Sequence, residues 1–217
     1  MTLFARYYNN RTLAQVSMTE VDALIKDESN KDKIAEIIYH RYYDRYLKIF
    51  DYKSNVKMNY LNTEDGKTSI ITRDEFTQEY KSGFAIMTAC CLLIETISAF
   101  FEGTNETRKS GHETFKHVFE KAKAYNNPLE CFIEESSFYK NIRCGLLHQG
   151  ETYGQFKIKR IGTLYDKSTK TINATLFSDS LIKFLISYQE ELRKEKWDSA
   201  LWDKCRIKLR HIIKNSE

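Results

Sequence analysis

Apolar and polar residues alternate with helical spacing over most of the chain. After Asn30, isoleucines and aromatic residues recur through residues 31–50 at the interval of an amphipathic helix, with charged residues between them. Residues 113–125 show the same period and stop before Pro128, because the residue preceding a proline is disfavoured in the helical conformation. Both segments are therefore predicted to be helices with one face buried.

The most apolar segment is residues 84–101. Thr72 and Glu75 have the spacing of a capping box, so one long helix is predicted over about 72–102. It is apolar on nearly all sides, which is typical of the central helix of a bundle. Polar residues, including Glu95, interrupt the segment, which favours a buried helix over one that spans a membrane.

A helix and a β-hairpin are predicted next. The helix covers about 130–147 and ends near Gly150, a residue suited to a left-handed terminating position. Beyond it, apolar and polar residues alternate over 156–159 and over 172–176, with a polar turn at 166–170 between them. This pattern predicts that the two alternating segments pair as a hairpin.

Four further elements complete the pattern. A short helix is predicted with a capping-box-like start at Thr19. Residues 53–69 are polar and contain an Asp-Gly pair, which indicates a loop or a short hairpin. Another helix begins with Ser178 or Asp179 as its cap, and a last amphipathic helix covers 197–214.

The fold class that follows is mainly α, a helical bundle with a small β-hairpin inserted after the helix predicted over 130–147. The chain has 217 residues, one proline and eight glycines, a composition that favours helices over many-stranded folds. We expect a single domain over 1–217. Its core would cover about 73–192, with N-terminal helices in 1–70 as an extension and a C-terminal helix at 197–214.

Charge and cysteine content narrow the function classes. The formal net charge of +4 and the pI of about 8.6 give a weak preference for polyanions, without the concentrated basic stripe of a dedicated duplex-binding protein. The five cysteines form no Cys-x-x-Cys pair, so no metal site and no cofactor are expected. The N-terminus lacks a signal-peptide pattern, and a cytoplasmic protein without membrane attachment is expected.

The most specific segment is FYKNIRCGLLHQGET, residues 138–152, in which four residues separate Arg143 from His148. Arg206 and His211 have the same spacing in the basic C-terminal segment, so spacing alone decides nothing. The first match is favoured because it lies in an apolar helix, with the small residues Cys144 and Gly145 beside the arginine. It resembles the Arg-x4-6-His motif of the HEPN superfamily, together with CLLIETISAFFEG in the long apolar helix.

The resemblance implies a small helical bundle and a metal-independent ribonuclease. In such enzymes the RNA 2′-hydroxyl attacks the adjacent phosphate, and the products carry a cyclic phosphate and a free 5′-hydroxyl. His148 would act as general base or acid, a role that suits imidazole because its ordinary pKa is near ~6.5. Arg143 would stabilise charge on the phosphate. A toxin or an effector of antiviral defence is the expected biological class, with an antitoxin or a regulatory protein as a further partner.

Helical geometry suggests that a dimer is needed. On an α-helix, residues five apart differ by about 140° around the axis, so Arg143 and His148 would not share a face. The resemblance implies a homodimer in which two copies of the motif build one composite site, and an isologous interface would bring them together. Asn141 lies near the stripe of His148 and is a candidate for orienting the imidazole or a phosphate oxygen.

Glu95 and Cys144 are the other supporting residues, and each has a second interpretation. A carboxylate on a buried helix face needs a partner, and pairing with Arg143 would serve catalysis or only fix the helices. Arg143 would alternatively pair with Glu134, and His148 would be a histidine stabilised at a helix C-terminus. Cys144 stands where active HEPN proteins commonly have a polar residue. A non-catalytic HEPN module that binds RNA, a nucleotide or a protein is therefore the alternative, and a purely structural protein is a third.

Overall fold

The computed structural model describes residues 2–9, 12–51, 58–61, 68–71, 82–105 and 110–216, and these residues are mainly helical. The helices are α1 Met18–Leu24, α2 Lys31–Tyr42, α3 Gly83–Glu102, α4 Gly111–Ala124, α5 Gly145–Gln149, α6 Ala174–Lys194 and α7 Ala200–Lys214. The strands are β1 Leu3–Asn9, β2 Thr12–Ser17, β3 Met58–Leu61, β4 Thr68–Ile71, β5 Lys157–Lys159, β6 Tyr165–Asp166 and β7 Thr171–Asn173. The prediction of a mainly α protein is confirmed.

Helix boundaries follow local capping chemistry. The Ser17 hydroxyl accepts from the Glu20 amide while the Glu20 carboxylate accepts from the Ser17 amide, so the box begins two residues earlier than predicted. Ser110 and Glu113 form a second capping box at the start of α4. As predicted, α2 begins after Asn30; a wider turn and a 3-10 turn continue it to residue 50.

The N-terminal strands were not predicted. β1 and β2 form an antiparallel hairpin whose register shifts between Leu3 and Ala5. Because of this irregularity the neighbouring residues Phe4 and Ala5 are both buried, which breaks the alternation by which strands are recognised. β3 and β4 pair antiparallel, so the interpretation of residues 53–69 as containing a short hairpin is confirmed for the described residues.

α3 is the central helix, as predicted. It begins at Gly83 rather than near residue 72, and Ser82, directly before it, is not helical. The proposed cap at Thr72 and Glu75 lies outside the described residues. By length and composition α3 alone among the described helices is apolar enough to cross a membrane. Of its most apolar window, 61% is buried inside the fold, as expected for a core helix.

The core surrounds α3, which packs against α4, α6 and α7, while α2 packs against α6. Its largest fully buried side chains are aromatic, with Trp202, Phe100, Phe119 and Phe177 among them. Side chains of β1, α1 and α2, the part treated as an N-terminal extension, belong to the same cluster of buried residues. The candidate functional residues therefore project from a firmly packed centre.

The two segments that were predicted to form a hairpin after the motif do not pair antiparallel. β7 lies between the other two strands; it runs parallel to β5 and antiparallel to β6. The polar turn at 166–170 thus joins β6 to β7. α6 begins at Ala174, where the Asn173 side chain accepts from two backbone amides, so Ser178 and Asp179 lie inside the helix and do not cap it.

The predicted helix over 130–147 is also divided. Pro128–Phe132 forms a 3-10 turn, Tyr139–Cys144 forms a wide π-helical turn, and α5 follows directly from Cys144. Between these turns the Ser137 hydroxyl donates a hydrogen bond to the Glu135 carboxylate at 2.6 Å. Gly150 ends the segment with φ +68°, the left-handed position predicted for it.

Candidate functional site

Arg143 and His148 contact each other within one chain. The π-helical turn supplies Arg143 and α5 supplies His148. Nη1 of Arg143 lies 3.5 Å from Nε2 of His148, at the outer limit of a hydrogen bond. Arg143 is half-buried, whereas His148 is exposed. A half-buried guanidinium thus meets an imidazole that solvent and ligands can reach.

The expectation that the two side chains cannot easily converge within one chain is wrong. It assumed a regular α-helix and compared only the directions of the Cα–Cβ bonds. In the structure the turn that carries Arg143 is widened, and the long arginine side chain spans the remaining separation. The contact with His148 therefore needs no symmetry-related partner.

Glu95 on α3 holds the arginine from the other side, as anticipated. Nη2 of Arg143 donates to Oε2 of Glu95 at 3.1 Å. Nε lies 2.9 Å from Oε1, a charge contact whose N–H is not aligned as a hydrogen bond. The side chain of Arg143 is 18% exposed, and that of Glu95 is 19% exposed. Burial lowers the pKa of the Arg143 guanidinium, but the hydrogen bond and charge of Glu95 outweigh it, and that pKa is raised.

Tyr139 is a site residue that the sequence interpretation missed. The guanidinium carbon of Arg143 lies 5.6 Å from the centre of its ring, within the range of a cation–π contact. Burial, and then a side-chain hydrogen bond with Cys144, raise the pKa of the Tyr139 hydroxyl. A β-carbon at Gly111 would lie 1.9 Å from the ring, so that glycine makes room for it. The only available signal was the position of Tyr139 one turn before Arg143.

The small residues beside Arg143 leave room for residues 151–154, which follow the motif and pack against it. These four residues are called the return segment. A β-carbon at Gly145 would lie 2.4 Å from the carbonyl oxygen of Glu151. Residues that follow the motif thus fill the space beside Gly145. Cys144 is half-buried, and its thiol helps to raise the pKa of the Tyr139 hydroxyl, so it belongs to the surroundings of the ring that Arg143 contacts.

Asn141 is not brought to the imidazole. A β-carbon at Gly154, whose φ is +59°, would lie 2.5 Å from Nδ2 of Asn141. The Asn141 carbonyl accepts from the Tyr153 amide at 2.9 Å. The residue therefore fastens the return segment to the motif turn, and this placement gives it a packing role.

In the second motif match, Arg206 and His211, the arginine is held by contacts within the fold. The guanidinium of Arg206 stacks over the Trp197 ring at 4.4 Å and donates to the Trp197 carbonyl at 2.8 Å. It also pairs with Asp203 at 2.5 Å. Its side chain is 12% exposed, so it has little freedom to meet a ligand. This geometry supports the preference for Arg143 and His148.

The site places an acid–base group, the imidazole of His148, beside a cation held by Glu95, the guanidinium of Arg143. Nη1 of Arg143 can donate to Nε2 of His148 only when that nitrogen carries no proton, because a guanidinium only donates. The described residues contain no group of three His, Cys, Asp or Glu side chains able to hold a metal ion. No model of a known protein family, no curated protein and no solved structure matches this chain.

Proposed function

We propose that the protein is a metal-independent endoribonuclease with a HEPN-like helical bundle, in which His148 and Arg143 form the reactive pair. The contact of 3.5 Å between an anchored guanidinium and an exposed imidazole carries the proposal. The favourable surroundings of this motif match add to it, since the other match is tied to Trp197.

The proposed reaction needs one base, one acid and stabilisation of a charged phosphate. Unprotonated Nε2 of His148 takes the proton from the ribose 2′-hydroxyl. The 2′-oxygen then forms a bond to phosphorus, and the bond from phosphorus to the 5′-oxygen breaks. The leaving 5′-oxygen receives a proton from water or from the protonated imidazole, and a 2′,3′-cyclic phosphate remains. DNA has no 2′-hydroxyl and is not a substrate.

To bind the phosphate, Nη1 of Arg143 exchanges its contact with His148 for a contact with a phosphate oxygen. Glu95 occupies Nε and Nη2, and Nη1 faces His148. A phosphate beside His148 therefore meets the Nη1 side of a guanidinium that is already fixed in place. Fixed donors stabilise developing charge better than mobile ones, because no reorganisation is needed during the reaction.

One observation favours the alternative, a module that binds RNA, a nucleotide or a protein without cleaving. The carboxylate of Glu95 neutralises most of the charge of Arg143 at close range, which weakens stabilisation of a highly charged transition state. Binding of an uncleaved phosphodiester requires less charge. Under this alternative, RNA binds and His148→Ala keeps the affinity.

The proposal includes a homodimer in which two motif segments face one groove. Because each chain already holds its own pair, a dimer would bring two complete pairs together and lengthen the surface for RNA. We further propose a cytoplasmic toxin or antiviral effector, restrained by an antitoxin or a regulatory protein until RNA is to be cut.

The test is cleavage of an end-labelled single-stranded RNA in the presence of a metal chelator, with DNA of the same sequence as the control substrate. We expect cyclic-phosphate and 5′-hydroxyl products from RNA only. His148→Ala should lower the rate about 100-fold or more, and Arg143→Ala should lower it similarly. His211→Ala removes a histidine from the other motif match and should leave the rate unchanged.

Two outcomes would contradict the proposal. Wild-type protein that binds RNA without cutting it supports the binding module. Cleavage that persists equally in the wild type, Arg143→Ala and His148→Ala would trace the activity to another part of the molecule or to a contaminant.

A further inference from the structure

A polar cavity lies away from the Arg143–His148 site, between strand β1 and the end of helix α2. It has a volume of about 230 Å³, and its polar lining consists of Arg6, His40, Arg41, Asp44 and Arg45. Three arginines and one aspartate thus line a small space. Neither Arg143 nor His148 lines this cavity.

Arg41 is the buried cation of the cavity. Its side chain is 7% exposed, its guanidinium lies 4.3 Å from the centre of the Phe4 ring, and Nη1 donates to the Phe4 carbonyl. Its Nε is buried without a hydrogen-bond partner. A guanidinium has five N–H donors, and leaving buried donors unpaired is costly. Because Nε is shielded from solvent, a ligand in the cavity can reach Arg41 only through the outer nitrogens of its guanidinium.

The charge at the cavity is not cancelled by its one acid. Asp44 already pairs with Lys48 at 3.0 Å. The ion pairs among the described residues include neither Arg6 nor Arg45, and both are exposed at the rim. An excess of positive charge therefore remains around the opening.

His40 adds a neutral polar group to the wall. Its ring stacks on Tyr7 with centroids 4.0 Å apart and nearly parallel planes. Burial lowers the pKa of the His40 imidazole, and this outweighs the carboxylates of Asp44 and Glu36. A neutral imidazole donates through one nitrogen and accepts through the other, so it can bond an oxyanion without adding charge.

We propose that this cavity binds the phosphate group of a phosphorylated ligand through Arg6, Arg41 and Arg45. Guanidinium forks match phosphate oxygens in geometry, and the excess charge suits a phosphate dianion better than a carboxylate. Sites that enclose a whole small molecule usually measure about 300–1,000 Å³. This smaller cavity holds the phosphate group and leaves the remainder of the ligand outside.

The test is calorimetric titration of the full chain at constant ionic strength, with inorganic phosphate, a 5′-mononucleotide, acetate, and a short oligoribonucleotide without terminal phosphates. Arg6→Gln and Arg45→Gln alter exposed residues, so both variants should fold. Each should weaken binding of the phosphate probes roughly tenfold, the loss of one charge-assisted hydrogen bond. Arg210→Gln removes the same charge from an exposed position on α7 and should leave binding unchanged.

The probes identify the source of the phosphate. Binding of inorganic phosphate and the mononucleotide alone supports a small ligand with a terminal phosphate. Binding of the oligoribonucleotide with the same losses supports a phosphate of the RNA backbone. No binding of any phosphate probe, equal binding of acetate, or an equal loss in Arg210→Gln would overturn the proposal. Inorganic phosphate, acetate and the mononucleotide contain no internucleotide bond, so their titrations are independent of RNA cleavage.

Discussion

Oε2 of Glu95 accepts a hydrogen bond from Nη2 of Arg143 at 3.1 Å, across the boundary between the central helix and the motif turn. The contact ties the segment that carries His148 to the central helix α3. It also satisfies a carboxylate and a guanidinium that are both largely removed from solvent. Stability and the geometry of the candidate site thus depend on the same pair.

We expect Glu95 and Arg143 to be energetically coupled. Glu95→Gln or Arg143→Gln alone should lower the free energy of unfolding by about 1–3 kcal/mol, because each leaves a half-buried charge without its partner. The double variant should lose less than the sum, with a coupling of about 1–2 kcal/mol in urea titrations.

The matched control is an exposed pair. Nζ of Lys26 lies 2.6 Å from Asp22, with the side chains 67% and 45% exposed. The same cycle with Lys26→Gln and Asp22→Asn should give a coupling below about 0.5 kcal/mol, because water screens the charges. Additive losses at Glu95 and Arg143 would show that their contact contributes nothing.

Gly145→Ala should destabilise the protein through crowding. The added carbon would lie 2.4 Å from the Glu151 carbonyl oxygen, and the return segment must move. We expect a loss of about 2–3 kcal/mol. Gly150→Ala meets no atom within 4 Å but keeps a left-handed φ of +68°, so it should cost only about 1 kcal/mol. Thermal unfolding of both variants would refute this explanation if Gly145→Ala proved the milder change.

Arg206→Ala should reduce stability and leave RNA cleavage unchanged. The substitution removes the stacking on Trp197 and the hydrogen bond to its carbonyl, a loss of about 1–2 kcal/mol. Denaturant unfolding and the cleavage rate should be measured on the same preparation. A large fall in rate without a loss of stability would move the active site to the C-terminal helix.

Stability should fall in acid through Asp166. Hydrogen bonds from Ser168 and Thr169 lower the pKa of this carboxyl from 3.8 to about 2. Because the folded-state pKa is below the unfolded value, the contribution is complete above pH 3.8 and is lost as the pH falls towards 2. Asp166→Asn should show a shallower decline of the unfolding temperature across this range. An identical decline in both proteins would contradict the assignment.

Helical periodicity predicted α2, α4 and the last helix well, because it is a local signal. The predicted caps were less accurate: the cap at Thr19 is two residues late, and Ser178 and Asp179 lie inside α6. Strand pairing was harder to predict. The apolar run at Phe4 and Ala5 conceals β1, since the register shift buries neighbouring residues. β5 pairs in parallel with β7 and not with β6, the next strand along the chain. Such partners are fixed by the tertiary fold, which alternation in one segment cannot reveal.

For the candidate site, the sequence indicated the pairing of Glu95 with Arg143, because an acid on an apolar helix requires a partner. The sequence did not reveal the widened turn at Tyr139–Cys144. That turn depends on packing against the return segment through Gly145 and Asn141. Residue spacing on an ideal helix was therefore a poor guide to the distance between Arg143 and His148.

The approach of Arg143 to His148 inside one polypeptide has a genetic consequence. When each chain supplies both reactive groups, two inactive variants cannot rescue each other. Mixed assemblies of Arg143→Ala and His148→Ala chains would then stay inactive. Assemblies of wild-type and His148→Ala chains would lose activity in proportion to the defective copies.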